Sequence, residues 1–490
     1  MRLPRLAPVA LVALSVSACS HPDPVGPGPV EAARAALPPV PERWQAVADA
    51  AGPVENGWIE AFNDPVLTAL VTEAQARNSN LQAAAAQVQR AAAQARQARA
   101  GLLPAVQGSV MSSRSRIEIN DIDIDSDAGL PVPSSIEYDS TSFTGLVQAS
   151  WELDVWGQVR DGWYATLENA DAAQADYLAA QQSIAAGVAR AWFISIEASR
   201  QVALAEESVE TLDKLHHLVS RQVEEGIAMK RDLALAHANL EQAKEGLARA
   251  RGAQRQAVRA LEILVGRYPA NEIAIRANQP ALPPPPPAGL PSGLLERRPD
   301  VVAAERRVAA ALHAQDRAGK ARLPTISLTG LAGAVSNALE NLLDPTATLL
   351  NLGGAIGAPI YQGGAIAAGE DIADAELKAA VAQYSGTALE AFEEVESALD
   401  SGVILRRRQL AAATRVSEIE EALRLEQLRF KIGESSLLDV LQVRQQAISA
   451  QTELATIERM QREQFVQLNM ALGGGWSDIA KTDRERDATR

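Results

Sequence analysis

The chain has 490 residues, of which 47% are hydrophobic and only 4% aromatic, and its formal charge at pH 7 is -15. The negative charge argues against a nucleic-acid partner, because the phosphate backbone would repel the protein. A single cysteine excludes a disulfide framework and a cysteine-based zinc site.

The first residues have the pattern of a bacterial export signal. Two arginines precede an apolar run over residues 6–16, which is too short to cross a bilayer, since a spanning helix needs about 20 apolar residues. Small residues then precede Cys19, as in the lipobox of bacterial lipoproteins. The sequence predicts a signal peptide over residues 1–18 and lipid attachment at Cys19. Because Ser20 rather than aspartate follows, we expect outer-membrane sorting; an ordinary signal peptide with an incidental cysteine is the alternative.

The segments that follow predict a tether and the first helix. Residues 19–61 are rich in proline, and we expect a structureless tether that connects the lipid anchor to the body. Asn63-Asp64-Pro65 then predicts the start of one helix that runs to Gly101. In the second half of the chain, Asp300 is the expected N-cap of a similar helix that continues to about Arg322.

Two segments typical of β-strands follow each of these helices. They begin near Leu103 and Leu323 and return over residues 142–151 and 349–361. A length of about 10 residues suits tilted membrane strands. Four strands cannot close a barrel that has no free edge in lipid, so we expect several copies of the chain to complete one.

Candidate cation ligands occur at two kinds of place. Residues 117–140 carry alternating aspartates, but the glycine and closing glutamate of an EF-hand are missing, so we predict a solvated acidic loop, with weak cation binding as the alternative. Two histidine–carboxylate pairs have the spacing of metal ligands on one helix face: His313 with Asp316, and His237 with Glu241. We expect these histidines to be exposed to solvent or to pack in the coiled-coil seam, and we predict no metal site and no cofactor.

Aromatic residues cluster where strand passes to helix. They predict a belt at the membrane interface, where amphipathic rings concentrate. Burial of the tryptophans in the protein core is the alternative. The residues of the predicted belt are Trp151, Trp156, Trp163 and Tyr361.

The longest predicted elements occur twice. Residues 233–266 recur as residues 440–473 with the same alternation of three- and four-residue apolar steps, the same extra step, and glutamines in register at Gln254 and Gln461. Each copy ends in a glycine, the usual residue where a helix stops in a left-handed turn. Both copies follow a predicted helix of roughly 60 residues, about 90 Å long, that turns at Gly226 or Gly433.

The duplication predicts the domain organisation and the fold class. We expect two repeats, residues 62–266 and 293–474, joined by a proline-rich linker over residues 267–292 and followed by a flexible tail over residues 475–490. The fold should be mainly α with a small membrane β part that contributes four strands. Each half should contain one long antiparallel helical hairpin.

Several motifs then resemble those of the TolC-like outer-membrane factors, close to their NodT-type lipoprotein branch. The resemblance covers about residues 64–474 and rests on the order of the motifs, the duplication and the glycine-turned hairpins. The motifs are Trp151-Glu152-Leu153-Asp154-Val155-Trp156-Gly157, Arg298-Pro299-Asp300-Val301 with Ala304-Glu305, and Pro359-Ile360-Tyr361-Gln362-Gly363-Gly364.

The resemblance implies a homotrimer in which each subunit gives four strands to a twelve-stranded barrel, continued by an α-helical coiled-coil barrel across the periplasm. Such a protein is the outer-membrane exit duct of a tripartite efflux pump in a Gram-negative bacterium. It conducts small molecules such as drugs and toxic compounds passively. A periplasmic adaptor joins it to an inner-membrane transporter of the RND or another type, and the duct is not an enzyme.

The resemblance also places two functional regions. The hairpin tips match the adaptor-docking tips of the family: Glu225, Gly226, Ile227, Ile432, Gly433 and Glu434. The family's gate motif Leu-Asp-Ala-Gln-Arg corresponds to residues 441–445, which here lack the aspartate and have the arginine displaced by one position. The candidate substitutes for a polar lock are Asp439, Gln442, Arg444 and, in the first half, Asp232.

Two other functions remain open at this point. A lipid-anchored coiled-coil scaffold without a channel would have polar seams open to solvent and no aromatic belt. A duct of the same shape could serve protein secretion. An enzyme is the least favoured class, because no nucleophile elbow, phosphate-binding glycine loop or histidine–carboxylate set is recognisable in the sequence.

Overall fold

The computed structural model of the chain describes residues 31, 34, 37–46, 57–120, 135–276, 278–342, 344 and 348–474. The predicted signal peptide, Cys19 and the tail after residue 474 lie outside the described residues. Among the described residues, no helix is both long and apolar enough to cross a membrane.

The first repeat opens with two helices rather than the predicted one. α1 (Pro65–Arg77) and α2 (Ser79–Ala100) are separated at Asn78, whose backbone is extended, with φ -63° and ψ 125°. The side chain of Asn78 accepts hydrogen bonds from the backbone N–H groups of Asn80 and Leu81, at 2.9 and 3.2 Å. The prediction of one helix to Gly101 is wrong because Asn78 acts as an N-cap inside an otherwise helical pattern.

The first pair of strands is longer than predicted. β1 (Ala105–Asn120) has 16 residues and β2 (Ser135–Leu153) has 19, so parts of the predicted loop at 117–120 and 135–140 belong to strands. Arginines offset the acidic side chains there: Arg114 pairs with Asp139 at 2.6 Å, and Arg116 pairs with Glu137. The alternating aspartates between the strands lie outside the described residues.

Two long helices complete the first repeat. α3 (Gln158–Glu224) has 67 residues, and α4 (Lys230–Val265) returns along it. The predicted hairpin is confirmed, and its turn contains Gly226 with φ 74°.

The second repeat has the same order of elements. After a single helical turn at Leu294–Arg297, α5 (Pro299–Lys320) leads to β3 (Thr325–Ser336) and β4 (Thr348–Gly357). α6 (Ala365–Lys431), also of 67 residues, and α7 (Leu437–Ala471) form the second hairpin. β4 ends before the predicted residue 361, because Pro359 has no N–H to donate to a strand ladder.

Asp300 is not the N-cap of α5. The N-cap is Arg298, and Asp300 lies in the first helical turn, where its carboxylate receives both guanidinium bonds of Arg298 at 2.6 and 3.0 Å. The helix starts earlier than predicted because Pro299 occupies its first position, where proline costs no hydrogen bond.

The duplication extends to single contacts. In the first repeat, Asn78 donates from Nδ2 to the carbonyl of Leu264 at 2.8 Å, near the end of α4. In the second, Arg298 occupies the corresponding place and donates from Nη1 to the carbonyl of Ala471 at 3.3 Å, near the end of α7. In each repeat, a side chain at the start of the helix that leads to the strands, α2 or α5, therefore binds the end of the last helix, α4 or α7.

Helices from both repeats share their apolar cores. Phe62 contacts Phe193 of α3 and Phe465 of α7, with ring centroids 5.0 and 5.1 Å apart. A second core surrounds Tyr384 and Val395 of α6, both of which are fully buried. Because residues from the two halves interdigitate, the repeats form one body rather than two independent domains.

The expectation of a structureless tether is wrong for residues 37–46. Trp44 is buried in the second core and donates from Nε1 to the carbonyl of Ala288 at 3.1 Å. The backbone N–H groups of Gln45 and Ala46 both donate to the carboxylate of Glu396, at 2.8 Å each. This segment therefore packs on the second repeat, with Trp44 inserted into its core.

The linker after the first repeat is held by one buried carboxylate. Glu262, in the last turn of α4, is 1% exposed and accepts the backbone N–H groups of Asn271, Glu272 and Ile273 at 2.5–3.2 Å. Burial alone would raise the pKa of Glu262, but these donors and the charge of Arg267 hold it below its ordinary value of 4.5.

We expect Gly266→Ala to destabilise the fold by about 1–3 kcal/mol, because residue 266 needs a left-handed backbone. Its φ is 86°, and an added Cβ would lie 2.9 Å from both the Cβ and the carbonyl oxygen of Arg77. Gly246→Ala is the matched control: this glycine lies inside α4 with open space around it, and alanine should add about 0.5–1 kcal/mol of stability. Thermal unfolding followed by circular dichroism would measure both; equal effects would contradict the strained turn.

We expect Glu262→Gln to lower the free energy of unfolding at neutral pH by about 1–3 kcal/mol, since hydrogen bonds to a charged acceptor are replaced by weaker ones. A depressed pKa stabilises the fold above the unfolded value and loses that effect as pH falls through the folded one. The difference between wild type and variant should therefore shrink below about pH 4.5. Glu245→Gln, which removes an exposed pair with Arg249, should show neither effect; denaturant unfolding across pH would check this.

Candidate channel surface, docking tips and gate

The four strands form one antiparallel sheet in the order β1-β2-β3-β4, with β1 and β4 at its edges. Directly paired residues share a face. One cross-strand row is Val106, Ala149, Gly330 and Leu352, and the neighbouring row on the other face is Gln107, Gln148, Leu331 and Asn351.

The two faces of the sheet differ in polarity along their length. The face that contains Val106 also carries Val110, Val147, Ile326, Leu328, Leu350 and Ile356. In a single chain, many of these aliphatic side chains are open: Val110 is 82% exposed and Leu352 is 80% exposed. Serine, threonine, glutamine and asparagine make up nearly half of the opposite face, beside exposed Met111, Ile117 and Ile119. This is the alternation of a strand with lipid on one side and a polar lumen on the other. Towards the far end of β1 and β2, the face that contains Val106 carries the ion pairs of Arg114 with Asp139 and Arg116 with Glu137.

The predicted aromatic belt lies where the sheet meets the helices, but its members differ in their contacts. Trp151 and Trp156 are partly exposed and donate from Nε1 to the carbonyls of Leu102 and Pro324, at 3.0 and 2.7 Å. Trp163 stacks on Tyr164 at 5.0 Å and receives the guanidinium of Arg99 at 5.5 Å. Tyr361 is 88% exposed, just beyond β4. A role at the lipid interface stays a prediction for all four.

Both hairpin tips use the same helix-ending geometry. At the first, Ile227 donates its N–H to the carbonyl of Gln222 at 2.8 Å; at the second, Glu434 donates to Arg429 at 2.9 Å. Gly226 and Gly433 have φ of 74° and 79°, and a Cβ at either would meet nothing within 4 Å. The backbone conformation, rather than space, therefore requires glycine at these turns.

The hairpin tips expose apolar and acidic side chains above a buried apolar cluster. Ile227 is 71% exposed and Ile432 62% exposed, beside the open carboxylates of Glu225 and Glu434. Just below the turns, one buried apolar cluster joins the two hairpins; its core is Val219, Ala236 and Leu437. The two tips are therefore presented together by helices that pack on each other.

The candidate gate residues do not form the expected polar lock within one chain. Asp439 is engaged locally: it accepts from the backbone N–H and the hydroxyl of Ser436, at 3.1 and 2.6 Å, in a capping box at the start of α7. The hydrogen bond from the Ser436 side chain is the main reason that the pKa of Asp439 is lowered. Asp232 pairs with its neighbour Arg231 at 2.9 Å, and Gln442 is exposed.

Arg444 instead links α7 to α3. It donates from Nη2 to the backbone carbonyl of Glu207 at 3.3 Å, while its Nε is buried without a hydrogen-bond partner among the described residues. Burial lowers the pKa of Arg444, and the charge of Glu207 opposes this effect only in part. Arg444 therefore supplies a hydrogen bond between the two hairpins, which removal of its side chain would break.

Sequence reasoning missed several contacts between residues that are distant in sequence. Arg298 binds Glu394 of α6 at 2.6 Å as well as Asp300, and Trp192 donates from Nε1 to Asp64 at 2.9 Å. The structure also brings Asp161 of α3 next to His313 and Asp316 of α5, a group able to hold a metal ion. The spacing of His313 and Asp316 was visible in the sequence, but the approach of α3 was not.

A family profile described as outer membrane efflux protein matches residues 70–267 and 290–474, one segment for each repeat. The chain belongs to this outer membrane efflux protein family. The family confirms the predicted resemblance and the outer-membrane location, and it identifies the chain as an exit duct for efflux.

Individual relatives agree with this assignment. The pyoverdine export outer membrane protein OpmQ of Pseudomonas putida is 29% identical over 489 residues, which are 98% of this chain and 100% of that protein. The probable efflux pump outer membrane protein TtgC of the same species is 30% identical over 426 residues, 86% of each protein. The Campylobacter jejuni CmeC outer membrane channel superposes with a TM-score of 0.79 at 26% identity, covering 89% of this chain and 92% of that one. The predicted fold class, that of trimeric channels of this kind, is confirmed.

The gate hypothesis predicts that Arg444→Ala makes the channel open severalfold more often, because the link from α7 to α3 is lost. Arg415→Ala is the matched control, since it removes an exposed pair with Glu453 at 2.6 Å between α6 and α7 and no contact to α3. Single-channel recording in planar bilayers would compare the two. Identical behaviour of both variants and wild type would remove Arg444 from the gate.

Proposed function

We propose that three copies of the chain pair through the free edges of β1 and β4 to close one twelve-stranded barrel in the outer membrane. The observation that carries this proposal is the sheet itself: its apolar face is open, and no other strand of the described ranges pairs with the outer edges of β1 and β4. In lipid, unpaired backbone groups cost several kcal/mol each, so closure by neighbouring copies removes the largest penalty. The polar face then lines the lumen.

The long helices extend this lumen towards the inner membrane. A helix of 67 residues, such as α3 or α6, is about 100 Å long at 1.5 Å per residue. That is several times the thickness of a bilayer core. Three pairs of hairpins form the periplasmic tube, with lipidation at Cys19 as an additional anchor.

The partners of the duct are a periplasmic adaptor and an inner-membrane transporter of the RND or another type. The adaptor docks at the hairpin tips, where Ile227 and Ile432 give apolar contact beside acidic rims. Transport through the duct is passive, and the transporter supplies the energy and the selectivity. The cargo is a small molecule, in keeping with relatives named for pyoverdine export and for efflux; protein secretion is the competing cargo class.

The test combines Ile227→Asp with Ile432→Asp in a strain that depends on this duct. We expect the loss of efflux, read as restored sensitivity to the exported compounds, because two charges oppose apolar docking. Purified trimer from the same variant should retain wild-type conductance, since the tips carry no part of the barrel. Tyr268→Asp, at a residue 86% exposed outside the tips, is the control and should leave efflux intact.

Three results would count against the proposal. A detergent-extracted protein that is monomeric and never conducts would rule out the duct. Undiminished efflux in the tip variant would move the docking site elsewhere. Loss of secretion of a protein, with unchanged sensitivity to small molecules, would favour the secretion duct.

A further inference from the structure

One group of side chains away from the hairpin tips has the composition of a metal site. A ring nitrogen of His313 and one carboxylate oxygen each of Asp161 and Asp316 lie within 4.8 Å of one another. His313 and Asp316 are one turn apart on α5, and Asp161 lies in the first turn of α3. The three groups therefore come from both repeats, directly below the sheet.

Among the residues that the structure describes, two of these groups have no hydrogen bond or ion pair that explains their position. Nδ1 of His313 is buried and has no hydrogen-bond partner among the residues that the structure describes. The ring contacts Tyr164 instead, with centroids 5.3 Å apart. The side chain of Asp316 makes no ion pair within the described ranges, although it lies on the exposed side of the cluster. A buried ring nitrogen without a partner carries a desolvation cost, which a cation bound at that nitrogen would remove.

The third group is already partly neutralised. Asp161 is 8% exposed, and its Oδ2 is paired with Nζ of Lys320, one turn beyond Asp316. Arg317 also packs close by, against Gly162. These cations lower the affinity of the cluster for a second positive charge, but the other oxygen of Asp161 remains available as a ligand.

We infer that Asp161, His313 and Asp316 bind a divalent transition-metal ion of the zinc class. One imidazole and two carboxylates supply three protein ligands, and water completes the coordination, as in open zinc sites. Imidazole favours zinc, nickel and cobalt over calcium and magnesium, which prefer oxygen ligands alone. The bound ion fixes the first turn of α3 to α5, and so joins the two repeats where the helices enter the sheet.

The experiment uses the purified full-length protein in detergent, freed of metal by chelation and titrated with Co²⁺. We expect one Co²⁺ per chain, with the visible absorption bands of a nitrogen-ligated ion, displaced by Zn²⁺. His313→Ala and Asp316→Asn should each weaken binding by about tenfold or more. Lys320→Met should strengthen it severalfold, because it frees Asp161 of a competing cation.

The control must show that surface histidines do not produce the signal. His217 lies 3.6 Å from Asp213 on α3 as an exposed pair, so His217→Ala should leave the stoichiometry unchanged. Equal melting temperatures of the metal-free variants would show that each is folded. The inference is overturned if wild type binds no Co²⁺, if binding survives His313→Ala, or if it is lost instead in His237→Ala, whose ring lies 5.4 Å from His216.

Discussion

Backbone hydrogen bonding at the two edges of the sheet sets the assembly of this protein. β1 and β4 each carry a row of N–H and C=O groups that no strand of the same chain satisfies within the described residues. Water can satisfy such groups before insertion, but hydrocarbon cannot. The exposure of the apolar face, the register of the strands and the proposed threefold association therefore all depend on pairing between the edge strands of neighbouring copies.

The helical part differs, because the backbone hydrogen bonds of each long hairpin are made within its own helices. Its structure depends instead on how one hairpin is positioned relative to the other. The contacts of Asn78 and Arg298 tie each hairpin to the shorter helix of its own repeat, and the core around Phe62, which contacts Phe193 and Phe465, fixes the two halves to each other. These contacts lie about 33 Å or more from the sheet, since a helix of 22 residues separates both Asn78 and Arg298 from the strands.

Regular periodicity made most of this architecture predictable. The seams, the glycine turns and the number of strands could be predicted because each depends on residues a few positions apart. The break at Asn78 was missed because an asparagine fits both the interior and the cap of a helix in a short window. The cap at Arg298 and the attachment of Trp44 were missed because their partners, Ala471 and Ala288, are distant in sequence.

The candidate sites divide in the same way. The tips could be placed from sequence, since a single glycine in a left-handed turn defines each. The contacts of Arg444 and the approach of Asp161 to His313 could not, because both depend on packing between long helices whose rotation the sequence does not specify. A seam predicts which face is buried but not which residue of another helix it meets.

The two hairpin tips also differ in whether a side chain caps the helix that follows the turn. At the second, the capping box of Ser436 and Asp439 fixes the start of α7, whereas Met229 gives α4 no side-chain cap at the first. In the proposed trimer, three chains with two hairpins each present six tips at the periplasmic end. A partner that binds all six tips of such a trimer would meet two classes of site, one with a capped helix start and one without.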